Sequence, residues 1–254
     1  MAILTETAGA VARIRIARPE RKNAITAEMY AGLAAALEAA EADDSVRAIL
    51  LHGQPDVFTA GNDVEDFLRR PPQGAEAPVF RFMSALSGAS KPVVVAVNGV
   101  AVGIGATLLL HCDLVYCADD SRFSFPFVNL GLCAEFGSSL LLPLAAGYHR
   151  AAEKLLLGEP LSAEEALDMG LVTRILPPGE VLDHARRQCE RLSQLPPDAV
   201  RETKRLMKAA WRPAVDKAIA DENAVLHRLI TSPQAREAFQ AFVERRKPDF
   251  SKPG

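Results

Sequence analysis

The segment Pro92–Ala118, PVVVAVNGVAVGIGATLLLHCDLVYCA, decides the fold. Up to Leu110 it is nearly as long and apolar as a membrane span, but Asn98, Gly99, Gly103 and Gly105 interrupt it. The β-branched opening, Val93 to Val97, is the pattern of a strand buried on both faces rather than of a spanning helix. The segment therefore predicts a buried strand, a glycine turn, a buried helix around ATLLL at 106–110, and a second strand, DLVYCA, at 113–118.

Upstream, AVARIRIA at 10–17 alternates like a first strand and runs into a charged loop, RPERKNA, at 18–24. Thr26 is placed to cap a helix whose Met29, Leu33 and Leu37 fall on one face. Asp43 and Asp44 end that helix ahead of a second strand, VRAILLHG, at 46–53. After AGND at 60–63, Asp63 is placed to cap VEDFLRR, which Pro71-Pro72-Gln73-Gly74 should stop, and 75–90 reads as loop and helix. Strands alternating with helices imply an α/β domain.

Past residue 180 the texture turns helical: VLDHARRQCERL, AVRETKRLMKAAW, the run from Ala214 to Ile230, and QAREAFQAFVERR opened by Ser232-Pro233. Two regions are expected, an α/β core over 1–180 and a helical C-terminal region over 181–254, with no internal repeat and no long linker. Leu206, Trp211, Leu226, Phe239 and Phe242 give the helical region apolar stripes that need a partner surface, its own core or a second subunit.

The chain has 254 residues, 49% apolar and 24% charged, ordinary globular values that exclude a disordered chain. Lys and Arg number 29 against 32 Asp and Glu, a net charge of −3 that gives no support to nucleic acid or an anionic membrane as partner. Cys112, Cys117, Cys133 and Cys189 form no CxxC pair and no ligand spacing with the five histidines, so no metal is expected and a reducing compartment fits. The first residues lack a basic start followed by an apolar run, and the chain ends SKPG rather than SKL; a cytoplasmic protein is expected.

Two turns, Ala60-Gly61-Asn62-Asp63 and Gly103-Ile104-Gly105, stand where a strand gives way to a helix. They are no nucleotide fingerprint, since GIGATL lacks a third glycine and no GK[ST] occurs. What they offer is backbone N–H groups at helix starts, where negative charge is favoured. Two such groups aimed at one point form an oxyanion hole.

The ordered motifs RPERKNA, FTAGND, AVNGVAVGIGA, CDLVYCADDSRFSFPFVNLGL, GEPLSAEEALDMGLVTRI and FVERRKPDF resemble the crotonase (enoyl-CoA hydratase/isomerase) family over nearly the whole chain. The resemblance implies a crotonase-like α/β fold, a spiral of strand–strand–helix units, with helical C-terminal residues used in assembly as a trimer or a dimer of trimers. It implies an acyl-CoA substrate of fatty acid metabolism, and no cofactor beyond the coenzyme A that the substrate carries. By motif position the oxyanion donors would be the N–H groups of Asn62 and Ile104, with Ala60, Gly61, Asn62, Asp63 and Ile104 along the substrate path. For Asp63, a helix cap is the better account.

The two glutamates of the hydratases fall here at Thr107 and Phe127, neither of which can act as a general acid or base. One acidic position remains. The pattern PF-x-x-LG-x-x-x-E-x-x-SS around Glu135 resembles the Δ3,Δ2-enoyl-CoA isomerase branch, in which a single glutamate takes a proton from C2 and returns it at C4. Apolar neighbours such as Phe127, Leu132 and Phe136 would raise the pKa of that carboxyl. The leading expectation is a 3-enoyl-CoA to 2-enoyl-CoA isomerase with Glu135 as its base. The alternatives are hydration or another crotonase-type reaction, and an acyl-CoA-binding protein without turnover.

Among the remaining candidates, the adjacent His111 and Cys112 read as a packed helix end rather than a metal site. Arg201, Lys204, Arg205 and Lys208 lie at helical spacing and read as a solvated face rather than an RNA-binding stripe. Arg245, Arg246 and Lys247 near the C-terminus are candidates to contact a CoA phosphate, in their own subunit or a neighbour's.

Overall fold

The all-apolar strand near residue 95 sits where its pattern requires, in the middle of a sheet covered on both faces. A computed structural model describes residues 2–70, 72, 74 and 76–251; the expected helix stop at Pro71–Gly74 lies partly outside them and the SKPG terminus almost wholly so. The sheet is built from β1 (Ile3–Ala8), β2 (Val11–Ile16), β3 (Ala48–His52), β4 (Val93–Val97), β6 (Leu114–Ala118) and β8 (Arg174–Leu176), in that spatial order. β1 runs antiparallel to β2, and every other neighbouring pair is parallel. Two short strands, β5 (Val100–Val102) and β7 (Arg122–Ser124), form a separate parallel pair.

Period-two alternation sends the side chains of each strand into two cores. On one face Ile14, Ile49, Leu51, Val93, Val95 and Val97 meet α1 (Ala27–Ala42) and α3 (Pro78–Gly88) through Leu33, Leu37, Phe82 and Leu86. On the other face Ala48, Leu50, Val94, Ala96 and Tyr116 are covered by Val181, Ala185 and Cys189 of α8 (Val181–Ser193). Strand–strand–helix units recur as expected, as β1–β2–α1 and as β4–β5 followed by α4 (Ile104–Thr107). Between α1 and α3 stands α2 (Val64–Arg69). After the sheet's inner strands come α5 (Ser138–Ala146), α6 (Tyr148–Leu157) and α7 (Ala163–Asp168), the last opened by a capping box between Ser162 and Glu165.

Several features depart from the sequence expectations, among them the short strands β7 and β8, which carry no extended apolar run. Residues 100–102, expected as part of a glycine turn, are a strand, because the turn at Gly99 delivers them alongside 122–124 rather than into a helix. The helix expected around ATLLL is four α-helical residues that tighten into a 3-10 turn over Leu108–His111. β1 was hidden by its polar run, Thr5-Glu6-Thr7, because it is a mostly exposed edge strand with little apolar signal.

The helical region continues with α9 (Pro197–Ala209), α10 (Arg212–Leu229) and α11 (Pro233–Glu244), the last capped by Ser232. Of its five marked apolar side chains, Leu226 and Phe239 are buried within this chain, against α5 and the cavity described below, whereas Leu206, Trp211 and Phe242 are exposed. The basic spacing on α9 is a solvated face only in part: Arg205 is exposed and paired with Glu202, but the two lysines turn inward. Lys204 is buried, with Nζ donating to the Lys91 carbonyl at 2.7 Å and to Asp113 at 2.6 Å, and Lys208 donates to the His111 carbonyl at 2.8 Å. Lys91, fully buried, donates in turn to the carbonyls of Ala40 and Asp43 at the end of α1. These cations serve carbonyls at helix ends and in loops, where the helical ladder leaves acceptors over. Among the described residues no helix is long and apolar enough to cross a membrane.

Candidate active site

A cavity of about 830 Å³ opens between α1, α2, α3, the turn after β5, the loop after β7, and α11. It is lined by Ala60, Gly61, Asn62, Asp63, Ile104, Phe127, Leu132 and Glu135, so every residue singled out from the sequence as substrate-binding or catalytic meets in one place.

The two turns are stapled to each other. Thr59 N–H donates to the Val100 carbonyl at 3.0 Å, and Val102 N–H donates to the Thr59 carbonyl at 3.1 Å. Gly61 holds φ +86°, and a Cβ there would sit 2.5 Å from the Val102 oxygen, so only glycine lets these strands approach. On the other side Gly105 packs on the Thr59 methyl group, where a Cβ would again be 2.5 Å away. Thr59 Oγ1 donates to the Asn23 carbonyl at 2.7 Å and accepts the Gly61 N–H at 3.1 Å.

In this frame most backbone donors are used: Ala60 N–H by Lys22, Asp63 N–H by Ile25 and Gly103 N–H by Ser124. The N–H groups of Asn62 and Ile104 have no acceptor among the described residues. Ile104 opens α4, so its N–H is one of the donors a helix start always leaves over. The Asn62 side chain is turned away to accept a hydrogen bond from the buried Tyr30 hydroxyl.

Asp63 does act as a helix cap. Its Oδ1 accepts Asp66 N–H at 3.0 Å and its Oδ2 accepts from Arg18 at 2.7 Å. Burial works against its charge, but the Asp66 N–H and the Arg18 guanidinium outweigh it and hold the carboxyl below its usual range. Asp66 accepts Ala27 N–H at 2.7 Å and is likewise engaged.

Glu135 is different. It is 5% exposed, on the loop between the 3-10 turn at Val128–Leu130 and α5, and its carboxylate has one hydrogen-bond partner among the described residues, the Thr107 hydroxyl at 2.9 Å. Burial pushes its carboxyl up to about 7; the Thr107 bond works downward and the charge of Glu222 upward. Its surroundings are therefore not wholly apolar as the sequence suggested: Thr107, fully buried, stands beside it as a donor. Phe127 lines the same cavity.

The Glu135 loop is held from behind by His111. This residue is buried, its ring stacked on Phe136 with centroids 3.8 Å apart, and its Nε2 lies 2.7 Å from the Phe136 carbonyl. A carbonyl only accepts, so Nε2 carries the proton, and burial lowers the imidazole to about 4. His111 is thus a packed helix end with an added task. Sequence reasoning missed Asn23, Tyr30 and Glu222. Asn23 is fully buried in the left-handed region, bridging the RPERKNA loop to the carbonyls of Val57 and Phe58, and an Asn ending a charged loop was the available signal. Among the described residues no group of His, Cys, Asp and Glu has the geometry of a metal site.

The enoyl-CoA hydratase/isomerase family profile matches residues 6–253. The chain belongs to that family. It is 35% identical over 243 residues to human enoyl-CoA delta isomerase 2, covering 93% of this chain and 61% of the human one, so the chain spans about three-fifths of that relative's length. It is 34% identical to the 1,2-epoxyphenylacetyl-CoA isomerase of Escherichia coli K12, covering 98% of each chain. A crystal structure of an enoyl-CoA hydratase/isomerase from Pseudoalteromonas atlantica T6c superposes with a TM-score of 0.95 at 39% identity, over 99% of this chain and 100% of the other. The fold is the crotonase fold, and the chain is an acyl-CoA enzyme of this family.

Burial of Glu135 has a thermodynamic signature. With its folded value raised from 4.5 to about 7, the protonated form favours the folded state. That contribution is complete below pH 4.5 and is lost as pH rises through 7. Glu135→Gln removes the ionisation, so it should leave stability unchanged near about pH 4.5 and raise it by about 1–3 kcal/mol near pH 8.5. His111 has the opposite sign, losing stability as pH falls from 6.5 toward 4, but it is common to both proteins and cancels. Urea denaturation of both proteins across that pH range checks this; parallel curves would contradict it.

Proposed function

We propose that the protein isomerises 3-enoyl-CoA to 2-enoyl-CoA, with Glu135 as the sole proton carrier. The observation that carries this reading is the contrast among the acids lining the cavity. Asp63 and Asp66 are spent on helix starts, and Glu65 is exposed beside Arg21 and Arg69. Glu135 alone among these is buried beside a single hydroxyl. Thr107 and Phe127 stand where the family's hydratases carry their glutamates, which leaves no pair of carboxylates to hold and activate water.

In this scheme the thioester oxygen accepts the two unused N–H groups, those of Asn62 and Ile104. The C2 proton moves to Glu135, and its C–H electron pair forms a C1=C2 bond while the carbonyl π pair moves onto the thioester oxygen, giving a dienolate conjugated with C3=C4 and nucleophilic at C4. The same carboxyl returns the proton at C4, leaving the double bond between C2 and C3. No water is consumed and no charge is left over. A carboxyl poised near 7 changes protonation state readily in both directions. Arg21, Lys22, Arg70, Arg245 and Arg246 border the cavity and give the coenzyme A phosphates cationic partners; Arg246 is already paired with Glu237 and Glu244. Lys247 is not among the lining residues.

The assembly we propose is a homotrimer or a dimer of trimers, with Leu206, Met207 and Trp211 of the helical region among the side chains it would cover. Sedimentation at micromolar concentration should give a multiple of three subunits, and a monomer would contradict it.

The test of the reaction is a panel of 3-enoyl-CoA and 2-enoyl-CoA substrates assayed side by side. Isomerisation should dominate and hydration should be slow. Glu135→Gln should lower the isomerisation kcat by about 10²–10⁴-fold while a saturated acyl-CoA binds within a few-fold of wild type. Hydration rivalling isomerisation, or an active Glu135→Gln protein, would overturn the reading. Binding without turnover on any substrate would leave an acyl-CoA-binding protein instead.

A further inference from the structure

The loop that carries Glu135 is gripped from the helical region by one side chain. Glu222 of α10 is buried, 7% exposed. Its Oε2 accepts Gly137 N–H at 2.6 Å, and its Oε1 accepts Ser139 N–H at 2.9 Å together with the Ser139 hydroxyl. Its backbone carbonyl lies 3.7 Å from Cys133 Sγ. Cys133 and Gly137 flank Glu135 at two residues on either side, so Glu222 holds both ends of the segment that bears the base.

The grip answers two local needs. Gly137 and Ser139 stand at the start of α5, which has no acidic residue in its first turn and no side-chain cap of its own. Their N–H groups therefore require an outside acceptor, and a carboxylate is the favoured one. Phe136 and Gly137 are consecutive left-handed residues, φ 55° and 72°, a turn that a non-glycine side chain resists by about 1 kcal/mol or more. Without an anchor this turn has freedom to relax, and the Glu135 carboxyl would move with it.

Resting on the assignment of Glu135 as the base, we infer that Glu222 is its positioning residue: it fixes the turn that aims the carboxyl at the reacting carbons. The groups facing Glu135 from the elements around it are Tyr30 on α1, Thr107 on α4, Cys133 on its own loop and Glu222 on α10, with His111 behind Phe136. Burial raises the Tyr30 hydroxyl and the Cys133 thiol and lowers His111, so all three are neutral near pH 7. Arg228, further along α10, acts on Cys133. Glu222 is the charged group that bears on Glu135 directly.

Two variants and two readouts test this. E222Q keeps the size and an acceptor oxygen but removes the charge; E222A removes the side-chain grip on Gly137 and Ser139. The carboxyl of Glu135, followed by carbon-13 NMR in the ligand-free protein and identified by its loss in E135Q, should titrate lower in E222Q by about half a pH unit or more. The pH midpoint of kcat/KM for 3-enoyl-CoA should move down with it. E222A should lose about 10–100-fold in kcat with KM within about three-fold of wild type. An unmoved Glu135 midpoint in E222Q, which a merely structural role would produce, overturns the inference, as does an E222A kcat within about two-fold of wild type. Activity retained by E135Q would instead overturn the base assignment, and the titration still reads the charge coupling in that case.

Discussion

The site depends on a close approach of two pieces of backbone. Leaving two N–H groups unpaired inside a protein is costly unless something else will use them. Here the bonds around them are satisfied so fully, by Thr59 with Val100, Val102 and Asn23 and by Asn23 with the Val57 and Phe58 carbonyls, that Asn62 and Ile104 are held in place with their N–H groups unpaired among the described residues. Gly61 and Gly105 permit that approach, since a Cβ at either would collide with the Val102 carbonyl or the Thr59 methyl. The donors are thus rigid before any ligand arrives, which is the condition under which such groups stabilise developing charge most strongly.

The opposite wall of the cavity carries the complementary cost. Glu135 is a carboxyl that burial prefers neutral, placed on a loop with two consecutive left-handed residues. Three elements keep it there: Thr107 at its carboxylate, His111 at the Phe136 carbonyl, and Glu222 at the start of α5. The helical region therefore does more than close the fold. α8 seals one face of the sheet, Lys204 and Lys208 pin α9 to loops beneath it, and α10 reaches the loop that bears Glu135. A division at residue 180 describes the texture of the sequence well, but the cavity takes residues from both sides of it.

Much of this was legible in the sequence, for identifiable reasons. Val93–Val97 announced a central strand because five apolar residues in a row have nowhere else to go, and Thr26, Asp63 and Ser232 announced helix starts through side chains that accept backbone N–H groups. The motif around Glu135 singled out a residue that proves to be buried at the cavity wall. What stayed hidden were long-range partnerships with no local pattern: Lys204 with Asp113, His111 with Phe136, and Glu222 with a turn 85 residues earlier. Spacing on one helix cannot distinguish a lysine that faces water from one that reaches a carbonyl under the next element. β1 and β5 were hidden by being short or exposed, where apolar alternation is weakest.

One shielded carboxyl moving one proton between two carbons is the central claim, and isotope transfer measures it most directly. A proton taken from C2 by a buried acid has little contact with water before it is delivered to C4. Isomerisation of a protiated 3-enoyl-CoA in D₂O, stopped at partial conversion and analysed by mass spectrometry and NMR, should leave a substantial fraction of the 2-enoyl-CoA without deuterium at C4. Complete single deuteration at C4 from the first turnovers would contradict the account, because the proton taken from C2 would then have been lost to solvent before its return.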